Sequence, residues 1–182
     1  MSETTATKTP VKSALSLMMD YPLVAENGLL ETMHVGDDDL PWIPLLPGTS
    51  IQLVHVDLAS NLWVQKIRMK PGSQARTHYH TGPVFGVTLQ GSWYYLESPD
   101  AVNRPGSYLF EPACSRHTLY VPSDQDGDMV AWFAIYGANL NLDDEGQIVS
   151  IVDARFSLEL YRGYCREHGL DCSRLIVQGE EG

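Results

Sequence analysis

The sequence predicts an all-β protein, a single barrel or sandwich of short strands followed by one C-terminal helix. Two observations predict it. Short apolar stretches recur between residues 41 and 153, and turn-forming pairs such as Pro47-Gly48, Pro71-Gly72, Gln90-Gly91 and Pro105-Gly106 divide them; regular spacing of this kind marks a sandwich or barrel. Helical periodicity shows only after Asp153, where Phe156, Leu160, Tyr161, Tyr164 and Cys165 fall on one face. The chain therefore divides into an arm over 1–40, a barrel over 41–153, and a helix with a tail over 154–182 packed on the barrel. A length of 182 residues suits one domain.

In order, residues 1–12 are polar and Thr-rich, a composition that predicts disorder. Residues 14–34 show no clear period, and His34 reads as a surface or interface histidine. Asp37-Asp38-Asp39 reads as a charged turn without the spacing of a calcium loop. Extended segments are expected at Ile51–Asp57 and Leu62–Met69. His55 shares a face with Ile51 and Leu53 in that reading. Val84–Leu89 and Trp93–Leu96 are expected to form a hairpin around Gln90-Gly91. Ser107–Glu111, Thr118–Val121 and Met129–Tyr136 follow as strands. Asn139–Leu142 and Gln147–Val152 flank the turn Asp143-Asp144-Glu145-Gly146. Asp153 reads as a helix N-cap and Gly169 as its stop, with His168 near the negative end of the helix dipole. The tail from Arg174 reads as a solvated end.

Composition excludes several function classes. Twelve basic against 23 acidic residues give a formal charge of −11. Nucleic-acid backbones and anionic membrane surfaces call for the opposite sign. No run approaches the length of an apolar membrane span, and the first residues lack the basic-then-apolar pattern of a secretory signal. Cys114, Cys165 and Cys172 are few and unpaired in pattern, which fits a reducing, cytoplasmic setting without disulfides.

The chemistry concentrates between Gly72 and His117. The segment Gly72-Ser-Gln-Ala-Arg-Thr-His78-Tyr-His80-Thr-Gly-Pro-Val84 carries two histidines two residues apart. On a strand both side chains leave by one face. The segment Gly106-Ser-Tyr-Leu-Phe-Glu111-Pro112-Ala-Cys114-Ser-Arg-His117 brings a third. Imidazole is the commonest metal ligand, and three protein ligands with open positions make a catalytic type of site.

These two segments resemble the paired motifs of the cupin superfamily. The resemblance implies a small antiparallel jelly-roll barrel, or double-stranded β-helix, with a metal at its centre held by His78, His80 and His117. Two departures stand out. Val84 occupies the point where the first motif usually has a glutamate ligand, which points to a three-histidine site. Cys114 and Val121 stand where the second motif usually has glycine and asparagine. His-Tyr-His-Thr-Gly-Pro-Val (78–84), Thr-Leu-Gln-Gly-Ser-Trp-Tyr-Tyr-Leu-Glu (88–97) and the Pro-Gly-Ser-Tyr, Glu-Pro and His-Thr-Leu elements of 105–119 also resemble the 2,4'-dihydroxyacetophenone dioxygenase group. Pro41-Trp-Ile-Pro44 and the stretch from Tyr161 to Gly169 extend that resemblance over residues 40–170.

It implies a non-haem Fe(II) dioxygenase that cleaves the carbon–carbon bond beside a ketone, with the ketone and O2 as partners of the site. Zn, Ni, Mn or Cu can occupy such a site after isolation. Three neutral imidazoles leave the cation its full charge, which favours an anionic ligand such as an enolate. Glu111 and Glu97 are the candidate catalytic carboxylates, beside a ligating histidine or bound substrate; Glu97 is also a candidate for the ligand missing at Val84. Phe85, Trp93, Tyr95, Trp132 and Tyr136 are candidates for an aromatic pocket, though alternate aromatics also build barrel cores. Arg68 and Arg76 are candidates to hold a phenolate or carboxylate, and Cys114, three residues before His117, to look into the site.

Two relatives of this reading remain open. One is cleavage of β-diketones such as acetylacetone. The other is a non-catalytic metal sensor, as in the cupin half of some zinc-containing anti-sigma factors, or a structural or sugar-phosphate-binding cupin. Cupins commonly form homodimers or homotetramers, so the resemblance implies an oligomer.

Overall fold

A computed structural model describes residues 32–180. The expected disorder of residues 1–12 and the arm as far as residue 31 lie outside the described residues. In chain order the strands are β1 (Ile43–Leu46), β2 (Thr49–Asp57), β3 (Leu62–Met69), β4 (His78–His80), β5 (Val84–Gln90), β6 (Tyr94–Tyr95) and β7 (Tyr108–Glu111). There follow β8 (Arg116–His117), β9 (Leu119–Tyr120), β10 (Met129–Tyr136), β11 (Asn139–Leu142) and β12 (Ile148–Val152), then helix α1 (Ala154–His168) and β13 (Ile176–Gln178). The larger sheet runs β1-β2-β3-β10-β5-β7, with β13 parallel to β2; a second runs β12-β11-β4-β8; β6 and β9 form a pair.

Period-two burial builds the core. On β10, Met129, Ala131, Phe133 and Ile135 are buried, and Trp132 and Tyr136 face the other way. On β5, Val84, Gly86 and Thr88 point inward. Gly86 has no alternative there, because an added Cβ would stand 2.8 Å from the Phe133 ring. Trp93 is buried and donates from Nε1 to Thr88 Oγ1 at 2.9 Å, so neither polar atom is stranded.

Three expectations change here. Val84–Leu89 and Trp93–Leu96 do not pair with each other. Val84–Gln90 lies between β10 and β7, and β6 pairs with β9. Gly91, at φ 68, turns the chain away, and Trp93 bridges to Asn103 instead. His55 does not share the core face of Ile51 and Leu53. The β2–β3 register shifts between Leu53 and His55, and such a bulge flips the alternation, so Val56 is buried and His55 Nε2 meets Gln178 Oε1 at 3.1 Å. The tail is not simply solvated, because Ile176–Gln178 adds a strand beside β2.

Asp153 caps α1 by accepting from Phe156 N at 2.8 Å, and Gly169 ends it in the left-handed region at φ 64. The buried face is Ala154, Ser157, Leu158, Tyr161 and Cys165. Full burial of Leu158 contributes about 2 kcal/mol, and Tyr161 donates to the Pro41 carbonyl at 2.5 Å. Phe156 and Leu160, expected on that face, are instead 48% and 36% exposed. They rotate toward the mouth of the cavity described next. Cys114, Cys165 and Cys172 are free thiols.

Candidate metal centre

Pairing of β4 with β8 sets His78 opposite His117 and Tyr79 opposite Arg116. Because β4 alternates, His80 joins His78 on the same face. The three rings stand 4.6 to 5.5 Å apart between centroids. One nitrogen from each lies within 4.8 Å of the other two. His80 and His117 are buried and His78 is partly so.

The corner after β4 fixes this arrangement. Thr81 N donates to Ala138 O, and Ala138 N donates back to Thr81 Oγ1, both at 2.8 Å. Gly82 then passes so close to Tyr136 that a Cβ would meet its carbonyl oxygen at 2.5 Å. On the other side Cys114 N donates to His80 O at 2.7 Å. Thr118, next to His117, bonds Thr77, next to His78, at 2.8 Å between hydroxyls. Glu97 accepts from Thr118 N and from Thr118 Oγ1, each at 2.8 Å. Burial pushes the Glu97 carboxyl up, but the Thr118 bonds outweigh it and hold the group below its ordinary value. With both oxygens engaged, Glu97 is spent on the strand that carries His117 and does not stand in for the carboxylate missing at Val84.

Glu111 reaches the cluster from the opposite sheet, at the end of β7 and across from Val84. It is buried, and its Oε2 stands 3.2 Å from His117 Nε2 and 3.4 Å from His80 Nε2. Tyr95 donates its hydroxyl to Oε1, and its ring stacks on His117 at 4.4 Å. Burial raises the Glu111 carboxyl, yet the neighbouring His117, Tyr95 and His80 outweigh it and leave the group ionised below the ordinary carboxylate range. Burial, reinforced by the Glu111 charge, lifts the Tyr95 phenol well above its usual value and keeps it a donor.

The donor set fits a cation. His78 Nδ1 lies 2.7 Å from the Arg76 carbonyl, so it carries the proton and Nε2 keeps a lone pair. Burial, then the neighbouring His117, lowers the His78 imidazole. Burial, then His78, lowers His80 to about 3. Both are therefore neutral near pH 7, the ligating form. His80 Nδ1, His117 Nε2 and Glu111 Oε2 are buried with no hydrogen-bond partner among the described residues. Buried polar atoms are rarely left so, and a divalent ion between the three rings would satisfy imidazole lone pairs while the Glu111 carboxylate stands beside it.

A cavity of about 570 Å³ opens from the histidines toward α1. Its wall is mostly apolar, from Ile51, Trp63, Ile67, Met69, Phe133 and Ile135. His78, His80, Tyr95, Glu111 and Arg76 also line it. Of the aromatic candidates only Tyr95 is on this wall. Phe85 packs on Phe110 and Tyr136 on the outer face, Trp132 shares the outward phase of β10, and Trp93 is sealed behind Tyr95. Arg68 lies over the Trp42 ring at 4.0 Å, and Cys114 is exposed. The outward phase of β10 carries Trp132 and Tyr136, but it is the apolar phase, through Phe133 and Ile135, that reaches the wall. Asn139 and Asn141 were missed altogether. They line the cavity as cross-strand partners of His80 and His78.

Comparison with known proteins agrees with this fold. Residues 30–137 match the family described as the ChrR cupin-like domain. A cupin-like protein of unknown function from Ralstonia eutropha JMP134 is 31% identical, with a TM-score of 0.68 over 74% of this chain and 83% of that one. An RmlC-like cupin from the same organism is 29% identical, with a TM-score of 0.73 over 78% and 92%. An acetylacetone dioxygenase from Acinetobacter johnsonii shares the fold at 18% identity, with a TM-score of 0.64 over 76% and 95%. No curated protein matches the chain. Among the described residues no helix is long and apolar enough to cross a membrane. With paired strands bringing three imidazoles together inside a jelly-roll-like barrel, and with more than half its length matched, the chain belongs to the ChrR cupin-like domain family of the cupin superfamily.

Proposed function

We propose that this protein is a non-haem Fe(II) dioxygenase that cleaves the carbon–carbon bond next to the carbonyl of a hydroxy ketone, such as 2,4'-dihydroxyacetophenone. The products are two carboxylic acids, and both atoms of O2 end in them. The observation that carries this is the convergence of His78, His80 and His117, two of which, His78 and His80, line a cavity large enough for an aryl ketone. An Fe(II) ion held by these three residues would supply Lewis acidity and the redox chemistry that dioxygen requires. The apolar wall excludes water and favours an aromatic or aliphatic body over a sugar. Glu111, ionised and oriented by Tyr95, is the residue that takes the proton as the ketone becomes its enolate. Arg76, at the cavity, offers a cation to a phenolate or product carboxylate.

Cleavage of a β-diketone is the nearest competing reading, supported by the shared fold with an acetylacetone dioxygenase. A non-catalytic metal-sensing role is the other alternative, from the resemblance of the two motifs to the cupin half of zinc-containing anti-sigma factors. Oxygen uptake by the anaerobically Fe(II)-loaded chain separates all three. The expected result is uptake with 2,4'-dihydroxyacetophenone and release of 4-hydroxybenzoate and formate. Uptake only with acetylacetone would favour the diketone reading. No uptake with any ketone would overturn the enzymatic one.

A further inference from the structure

We infer that Asn139 determines specificity, by accepting a hydrogen bond from a substrate hydroxyl that remains protonated when the ketone binds. The inference rests on the ketone-cleaving reading and adds to it a residue that selects among ketones. β11 pairs with β4 so that Asn139 faces His80 and Asn141 faces His78. Directly opposed residues share one face of a sheet, with strands about 5 Å apart. Both amides therefore border the group bound next to the histidines rather than the far apolar end. Their situations differ. Asn141 Nδ2 donates to Ser150 Oγ at 3.0 Å and is held in the sheet. Asn139 Oδ1 is buried with no partner among the described residues. Asn139 is also a lining residue of the cavity, in a wall that is otherwise mostly apolar.

An acceptor left so within the wall of a ligand cavity is selective once the amide turns about its soft χ2 to meet a ligand. A cavity that pairs such an acceptor with a substrate hydroxyl rejects the analogue lacking it, since rejection leaves the amide unpaired again. A simple β-diketone bound as its enolate carries no donor for Asn139. A dihydroxylated aryl ketone has one hydroxyl beside the carbonyl and another on its ring, so one remains to donate. The chemistry selected is thus a ketone with an apolar body and a free hydroxyl.

Calorimetric binding on the full chain, in metal-free and Zn(II)-loaded forms, tests this without turnover. The probes are 2,4'-dihydroxyacetophenone, 2-hydroxyacetophenone and 4'-hydroxyacetophenone, which differ by single hydroxyls. Wild type is expected to bind the dihydroxy probe about 10- to 100-fold more tightly than at least one singly hydroxylated probe. Asn139→Leu, close in volume, is expected to abolish that preference by weakening the dihydroxy probe far more than the singly hydroxylated one, and Asn139→Ser, which keeps an acceptor, to retain part of it. Equal weakening of every probe in Asn139→Leu, or an unchanged preference, would overturn the inference. Metal content of the same samples reports separately on the three-histidine reading. A chain that takes up no Zn(II) yet discriminates the probes through Asn139 sinks that reading and leaves this one standing.

Discussion

At His80 a buried imidazole meets two others, and the outcome is set by solvation. Burial and His78 hold its folded value at about 3, against about 6.5 for an unfolded histidine. The unfolded chain therefore binds more protons between these limits, and stability falls as pH drops from about 6.5 toward 3. Above 7 this contribution is complete and flat. Thermal unfolding of the metal-free protein is expected to show a steeper acid loss in wild type than in His80→Gln; identical slopes would mean that His80 is solvated. Glu111 raises a different question, because it stands within 3.4 Å of two histidine nitrogens. As a proton acceptor beside the ion it can be replaced without losing metal. Glu111→Gln is expected to keep full metal content by elemental analysis and to lose about 100-fold or more in kcat. Metal loss in that variant would make Glu111 a fourth ligand. The importance of residues 78, 80 and 117 was legible from their spacing together with the glycines and proline of the two cupin-like motifs around them. Glu111 was legible as a candidate, but its approach from the opposite sheet was not, since no local pattern records which strand lies across a barrel. Asn139 was invisible for the same reason: its meaning comes from its register with His80.

Strands, turns and the helix are legible in the sequence where their signals are local. The helix was readable end to end because its cap and stop are local devices, Asp153 on Phe156 N and Gly169 at positive φ. The false hairpin came from treating Gln90-Gly91 as a two-residue connection when the chain in fact leaves the sheet there. The β2 bulge likewise leaves no trace in the hydrophobic pattern, yet it reverses His55 and Val56. Cys114 shows how a departure from a motif is absorbed. Glycine usually stands at this point of the second cupin motif, and the backbone still adopts the geometry that glycine suits, at φ 67. A residue with a Cβ is strained there by roughly 1 kcal/mol. Cys114→Gly is expected to raise stability by up to about 1 kcal/mol in denaturant unfolding, offset in part by a more flexible unfolded chain. A clear loss of stability would show that the thiol makes contacts worth more than the strain.

For the molecule as a whole, two sheets bring unlike parts to one place. The smaller sheet supplies the histidines and both asparagines, the larger supplies Glu111 and most of the apolar wall, and α1 adds Phe156 and Leu160 at the mouth. The enzyme reading stands or falls on whether a cation held by that arrangement meets the ketone. X-ray absorption at the iron edge, on the anaerobic Fe(II)-loaded chain with and without 2,4'-dihydroxyacetophenone, measures this directly. Three imidazole ligands are expected on the iron, reduced to two in His117→Ala, with a change in the remaining oxygen ligands when the ketone is added. Fewer than three imidazoles in the wild-type protein, or a spectrum that the ketone leaves unchanged, would contradict the enzyme reading.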